Sequence, residues 1–517
     1  MPEYLSPGVY VEEIEPGPRP IEGVPTSTAA FLGEAERGTL KPRLVTSCKE
    51  YERWFGGSFG ESKFLPSAVR GFFENSGQRL YVCRLVGPQA TPAQAQFGAY
   101  AVRAVGPGSW ARRVWARIDD STTKVPGSGA NPQPGGFRLR LAYWANTPPG
   151  FQPFDPFADA AKLPRPALVE DFDDLATDPT SPDFHERRLL DRSALATLAR
   201  AAGVPPDARP ANGAQALAQN GADDPNPLDV ADYQGQLVPG AARSELQGLA
   251  ALELNPYREV ALVYAPSVGV DIAQAIIAHC ERLRFRFAVI DCDKGVSSTS
   301  ALDPRTTVLD TSYAAFYYPW PVIADPQTGT SRTVPPGGHV LGVYARTDAE
   351  RGVFKAPANE TLRGLVGLEF DVNDAMQGIL NPRGVNVIRQ FPGKGILVWG
   401  ARTMTSDTIW KYVSVRRLFI FLERSIYEGT QWAVFEPNDK QLWANITAAI
   451  RLFLRGQWRV GALFGATEDK AFFVKCDETS MTQDDIDNGR LVCEVGVAPV
   501  RPAEFVIFRI FQHTART

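Results

Sequence analysis

The last stretch of the chain, PAEFVIFRIFQHT (502–514), cannot be satisfied by itself. As a strand it puts Phe505, Ile507, Arg509 and Phe511 on one face and Val506, Phe508 and Ile510 on the other. Apolar on both faces, it should not lie free in water. The other end poses a similar problem. PGVYVEEI (7–14) is a short β-type run with Val9, Val11 and Glu13 on one side and Tyr10, Glu12 and Ile14 on the other. A tether follows, PGPRPIEGVP (16–25), in which Pro16, Gly17, Pro18, Pro20 and Gly23 prevent regular structure, so that it runs extended. No hairpin neighbour supplies this strand with partners for its N–H and C=O groups. Both ends therefore read as arms.

Between the arms the chain is long enough for two to four domains: 517 residues, 44% apolar and 22% charged. A formal charge of −4 gives no bulk pull toward nucleic acid or membrane. No apolar window of about 18 residues exists, so no direct membrane insertion is expected. The first residues lack a basic n-region and an apolar h-region, which argues against a secretory signal and for cytoplasmic assembly. The six cysteines (Cys48, Cys83, Cys280, Cys292, Cys476, Cys493) show no CxxC spacing and read as reduced, mostly buried thiols.

The pattern along the chain predicts a multidomain α/β and α+β protein with mixed sheets flanked by helices. Residues 1–27 are the arm and tether. Residues 28–100 open a middle domain, with TAAFLGEA and RLYVCRLV as strands, 62–75 as a helix and 87–100 as loop. Residues 101–240 read as a β-rich, solvent-exposed insertion, because WARRVWARI and FRLRLAYW alternate at period two. The middle domain resumes over 241–384, where EVALVYAP, a helix at 270–283 and FRFAVIDC form a β–α–β unit and imply a partly parallel sheet. In the 385–517 domain, GILVWGAR and TIWKYVSV read as strands, followed by two amphipathic helices and the strands KAFFVKCD and RLVCEVGVAPV. The run 334–362 carries Arg346, Asp348, Glu350, Arg351 and Lys355 in alternating sign, the pattern of a solvated or subunit-facing loop.

Tests for chemistry fail one by one. PGKG (392–395) lacks the Walker spacing, since position 388 is Ile and 395 is Gly, and reads as a turn between strands. DIDNG (485–489) puts glycines where a calcium loop needs oxygen ligands. The four histidines lie in unrelated segments, and His279 beside Cys280 reads as a packed helix position. No catalytic, metal or cofactor site is expected. Basic residues do gather near the end: Arg451, Arg455 and Arg459 sit on one helix, with Arg451 and Arg455 four apart on a shared face. A solvated face and a surface for an acidic partner are both open readings. Nucleic acid is not expected, because the aromatic residues sit on the apolar side of that helix.

TSTAAFLGEAERG, the 334–362 run VPPGGHVLGVYARTDAERGVFKAPANETL, LNPRGVNVIRQFPGKGILVWGARTM, VFEPND and VAPVRPAEFVIFRI occur in that order. This series resembles the tail sheath proteins of contractile phages and related phage-like injection particles. The resemblance implies a structural, non-enzymatic subunit that copies itself into a helical sleeve of stacked hexameric rings around an inner tube. It implies contraction that drives the tube through a target envelope, with baseplate and terminal cap proteins as further partners. It also implies strand exchange between copies, through Val9, Tyr10, Val11, Glu12 and Ile14 at one end and Phe505, Val506, Ile507, Phe508, Ile510 and Phe511 at the other. The 101–240 insertion then points outward, and the 385–517 domain faces the tube, with Arg451, Arg455 and Arg459 as candidate contacts. The competing expectation is a hydrolase-like enzyme with a βαβ core, which would form a discrete oligomer around a deep polar cleft.

Overall fold

Leu262–Tyr264 (β4), the helix Val270–Leu283 (α2) and Phe287–Asp291 (β5) form the expected β–α–β unit, and the two strands pair in parallel. In the computed structural model the described residues are 20–125, 133–205, 207–235, 247–325 and 329–509. The expected N-terminal strand Val9–Ile14, the tether positions Pro16, Gly17 and Pro18, and Ile510 and Phe511 lie outside them.

Around that unit grows a nine-stranded sheet. Its other members are Ala29–Gly33 (β1), Arg43–Val45 (β2), Leu80–Arg84 (β3), Ala314–Tyr318 (β6), Glu360–Thr361 (β7), Val385–Phe391 (β8) and Gly395–Val398 (β9). The order is β7-β9-β8-β6-β5-β4-β1-β3-β2, parallel from β3 to β8 and antiparallel at both margins. Strands β1, β3 and β6 are buried at every position, which is why, Arg84 at the end of β3 apart, they read as apolar runs without alternation. The PGKG segment is the turn of the β8–β9 hairpin, with Phe391 opposite Gly395.

The run at 334–362 departs from its expectation. Gly337–Arg351 (α3) is a helix whose residues Gly337 to Thr347 are all buried. It lies against Leu65–Glu74 (α1) at very short range. A Cβ on Gly338 would stand 2.4 Å from the Ala68 carbonyl, and one on Gly342 would stand 2.5 Å from the Phe72 carbonyl. Small residues four apart let the two backbones meet, and the alternating charges that suggested a loop belong to the C-terminal end of the helix and the residues after it. His279 and Cys280 are buried on α2, as a packed helix position requires.

Residues between 91 and 222 form two four-stranded antiparallel sheets. One holds Leu168–Leu175, Phe137–Tyr143, Val114–Asp120 and Gly213–Ala216 in that order; the other holds Ala196–Arg200, Tyr100–Ala104, Thr91–Phe97 and Gln219–Ala222. Their inner residues make a separate core around Trp110, Phe137, Leu139, Leu141 and Tyr100. The 87–100 stretch is therefore not loop: Ala93, Ala95 and Phe97 alternate inward along Thr91–Phe97. Alanine and glutamine have weak strand preference, so only their pairing with Tyr100–Ala104 reveals them. Two polar groups, one buried and one half-buried, tie this part to the nine-stranded sheet. Arg84 donates to the carbonyls of Ala35, Gly38 and Pro107, and Glu36 accepts from Tyr143 Oη and Arg113 Nη2.

The chain packs as two compact units, and each has its own apolar core. The first comprises Thr26–Glu350 and Pro357–Val413; the described part of the second is 20–25, Arg351–Ala356 and 414–509. The division falls at Ser414 and not at 385, because β8 and β9 complete the nine-stranded sheet. TIWKYVSV (408–415) is not a strand. Residues 408–412 are irregular, and the helix Val413–Gly429 (α4) begins inside the run, using Val413 and Val415 as buried helix positions.

Candidate assembly surface

The C-terminal unit rests on two helices. α4 contributes Leu418 and Leu422 to its core; Lys440–Arg459 (α5) contributes Leu442, Ile446, Ala449, Ile450 and Phe453, at the three- and four-residue spacing of one buried stripe. Asp439 caps α5, its Oδ1 accepting from the Leu442 N–H at 2.9 Å. The end of the expected tether is anchored here. Ile21 is buried in this core, the Val24 N–H donates to Ser425 Oγ at 3.1 Å, and a Cβ on Gly23 would stand 3.0 Å from the Phe421 ring. Pro20 and Gly23 thus belong to a docked segment. Val353 and Phe354 join the same core from the Arg351–Ala356 excursion.

Phe472–Lys475 (β10) and Glu494–Val497 (β11) form a two-stranded antiparallel sheet, with Phe472 opposite Val497 and Lys475 opposite Glu494. Phe472 and Val474 point into the core, whereas Phe473 faces outward and its ring covers the bare backbone of Gly496 opposite. Among the described residues no third strand pairs with either. Two strands alone are marginal, so both edges of this sheet offer unused backbone donors and acceptors.

Beyond β11 the backbone pairing runs on only as far as Val500, through the Ala498 N–H to the Ala471 carbonyl and an isolated Leu463–Pro499 bridge. Phe505, Val506, Ile507 and Phe508 lie in no strand of this chain and are 69–83% exposed. The expected terminal strand is not formed within this chain, and nothing in it covers these four among the described residues. A second exposed aromatic was not anticipated. Phe435, in VFEPND, is fully exposed with φ at +70°, a left-handed conformation that costs a bulky residue energy.

The three arginines singled out on α5 do not behave alike. Arg455 Nε lies 2.7 Å from Glu468 Oε2, and Arg451 Nη2 lies 3.5 Å from Glu468 Oε1 and 3.6 Å from Asp469. Hydrogen bonding to Arg455 holds the Glu468 carboxyl below its ordinary range. Two of the three charges are therefore answered within the unit, while Arg459 at the helix end is exposed. Glu468 was missed because it lies beyond the helix in another segment.

A parallel sheet of this kind takes ligands at the carboxyl ends of its strands. Here Asp291, at the end of β5, spends both oxygens internally. Oδ1 accepts from the Gly337 N–H at the start of α3 (2.8 Å), and Oδ2 accepts from Tyr264 Oη (2.7 Å) and the Ser267 N–H (3.1 Å). Burial raises its pKa to about 6. The helix start that could hold an anion is occupied by the chain's own carboxylate. The described residues hold no group of three or more metal-ligating side chains.

Two family models match consecutive stretches of the chain: the phage tail sheath protein central domain over residues 241–404 and the phage tail sheath C-terminal domain over 405–513. A prophage major tail sheath protein of Pseudomonas aeruginosa (strain UCBPP-PA14) is 28% identical over 192 residues, 36% of this chain and 48% of that protein. The tail sheath protein of Vibrio phage KVP40 is 27% identical over 223 residues, 42% of this chain and 31% of that protein. The chain thus spans less than half the length of these two relatives. Among solved structures, the sheath of an extracellular contractile injection system in its contracted state aligns with a TM-score of 0.59 at 24% identity, covering 99% of both chains. The contracted helical sheath of the anti-feeding prophage aligns at 0.58 and 22%, covering 98% of this chain and 99% of that one. The last two establish a shared fold; with both family models and the curated relatives in agreement, this chain is a member of the phage tail sheath protein family.

Proposed function

We propose that this chain is the structural subunit of a contractile sheath, which polymerises helically around an inner tube and shortens to drive that tube through a target envelope. The observation that carries the reading is the pairing of an apolar segment, Phe505–Phe508, with a two-stranded sheet; among the described residues nothing covers the segment and no further strand joins the sheet. Each is unfavourable alone, and a neighbouring copy supplies what the other lacks. Strand addition joins backbones through the ladder while pockets take alternate side chains. Six such bonds at about 0.5–1.5 kcal/mol net each hold a joint of several kcal/mol before side-chain burial. The N-terminal segment Val9–Ile14 is the second arm of this scheme, and the docked Pro20–Pro25 segment fixes where it leaves the C-terminal unit.

Contacts of this kind are head-to-tail and build filaments when they do not close on themselves. Arg459, beside Arg451 and Arg455 already paired with Glu468 and Asp469, leaves a basic surface of modest strength, suited to an acidic tube that must later be released. Baseplate and cap proteins terminate the polymer, and the subunit works in a phage tail or a released phage-like particle. Negative-stain microscopy of the purified chain tests the proposal. Long hollow polymers are expected, and deletion of residues 1–15 should leave a folded monomer that no longer polymerises. Polymers of normal length from that truncation would remove the N-terminal arm from the scheme, and a small closed oligomer from the intact chain would remove the sheath reading.

A further inference from the structure

The register of β10 and β11 has Lys475 opposite Glu494, and one step further along it stand Cys476 and Cys493. The Ala498 N–H donates to the Ala471 carbonyl at 2.8 Å, so residues 471 and 498 are a hydrogen-bonded pair. Stepping in twos makes 473 with 496 and 475 with 494 hydrogen-bonded pairs as well, and Cys476 with Cys493 a non-hydrogen-bonded one. At such positions opposed Cα atoms lie about 4.5 Å apart, within the span that a disulfide bridges. Both side chains point to the inner face, where Cys476 is buried in the core of the unit and Cys493 packs against it. Each thiol perturbs the other. Burial, reinforced by the Cys476 thiol, pushes Cys493 up to about 12, and burial also raises Cys476. Both are reduced in this structure.

We propose that Cys476 and Cys493 form an intramolecular disulfide that ties the base of the 477–492 excursion when the protein meets a small-molecule disulfide oxidant such as oxidised glutathione. Cys493, the more accessible, loses its proton and its sulfur attacks one sulfur of the oxidant. A mixed disulfide forms and one glutathione thiolate leaves, taking up a proton. Cys476 then loses its proton and attacks the Cys493 sulfur, expelling the second glutathione as thiol. Two protein thiols are oxidised, one glutathione disulfide is reduced, and two glutathione thiols are released. Because burial keeps both groups protonated, the reaction is slow at neutral pH and the pair stays reduced in a reducing compartment. The excursion already has internal order: Thr482 and Asp485 form a capping box, and Arg490 pairs with Asp484 and Asp485. Closing its base therefore locks a formed loop and fixes the β10–β11 hairpin. The proposal concerns the single subunit and stands apart from the polymer reading.

The full chain, incubated with oxidised glutathione at pH 8.5, alkylated and digested without reduction, is mapped by mass spectrometry. A peptide pair joining Cys476 to Cys493, two hydrogens lighter than the separate peptides and recovered from monomeric protein, is expected, with an unfolding midpoint several degrees higher. A persistent glutathione adduct on Cys493 with Cys476 still open to alkylation, or a cross-link from either to another cysteine, overturns the proposal. In Cys476→Ser the mixed disulfide at Cys493 should accumulate, whereas the wild-type chain resolves it; equal accumulation in both also overturns it. The wild-type map decides alone if that variant does not fold.

Discussion

Three imidazoles are held neutral by their surroundings. Burial, with a nearby arginine, lowers His185 and His339 to about 4 and His279 to about 3. In the unfolded chain each takes a proton near 6.5, so between there and about 4 the unfolded state binds more protons, and stability falls as the pH drops through that window. Asp291 has the opposite sign. Its pKa is raised from 3.8 to about 6, so its contribution is full below 3.8 and is lost as pH rises through 6. Three groups outweigh one. Urea titrations at pH 7 and pH 5 should show a loss of roughly 2 kcal/mol per imidazole, and His339→Gln should flatten that acid limb. Equal stability at both values would mean the imidazoles are not shielded as described. At Phe435 the strain is in the backbone. Phe435→Gly should leave the monomer as stable or raise it by about 1 kcal/mol, measured by thermal melting, and should shorten polymers in micrographs if the exposed ring meets a neighbour. The left-handed position falls on Phe435 and not on the asparagine three residues later, so it could not be read from VFEPND. Of the three buried histidines only His279 was legible as a packing position; for His185 and His339 the sequence showed no more than the lack of ligand spacing.

At the scale of elements, what was legible tracked periodicity, and what was missed tracked packing. The β–α–β unit, α2, α4 and α5 and the PGKG turn all come from patterns within a single segment. The helix α3 does not, because its burial on all sides leaves no stripe, and its diagnostic feature is the Gly338–Gly342 spacing that lets it touch α1. That contact makes a sharp prediction. Gly338→Ala places a methyl where the Ala68 backbone already stands and should cost about 2–3 kcal/mol, seen as a lowered midpoint by circular dichroism. A neutral result would show that α1 and α3 separate readily. The terminal segment illustrates the converse. Its two apolar faces were plain in the sequence, but a strand exists only with a partner, and Phe505–Phe508 have none in their own chain among the described residues. The Arg451 and Arg455 charges were legible too. Their neutralisation by Glu468 was not, since that carboxylate arrives from a different element.

Over the whole molecule, fold class could be inferred but strand order could not. Nothing local states that β1 lies between β3 and β4, or that 91–222 is held to the main sheet through Arg84 and Glu36. Those are choices among long-range pairings, settled by which buried faces fit. The division into two units likewise ignores chain order, for the C-terminal core borrows Ile21 and Val353 from far upstream. As a result the polypeptide passes from one unit to the other at 25/26, 350/351, 356/357 and 413/414. A fragment cut at any single one of these points would carry a hole in its interior. The two units therefore share four covalent connections, and a nick at one of them leaves the units joined through the other three.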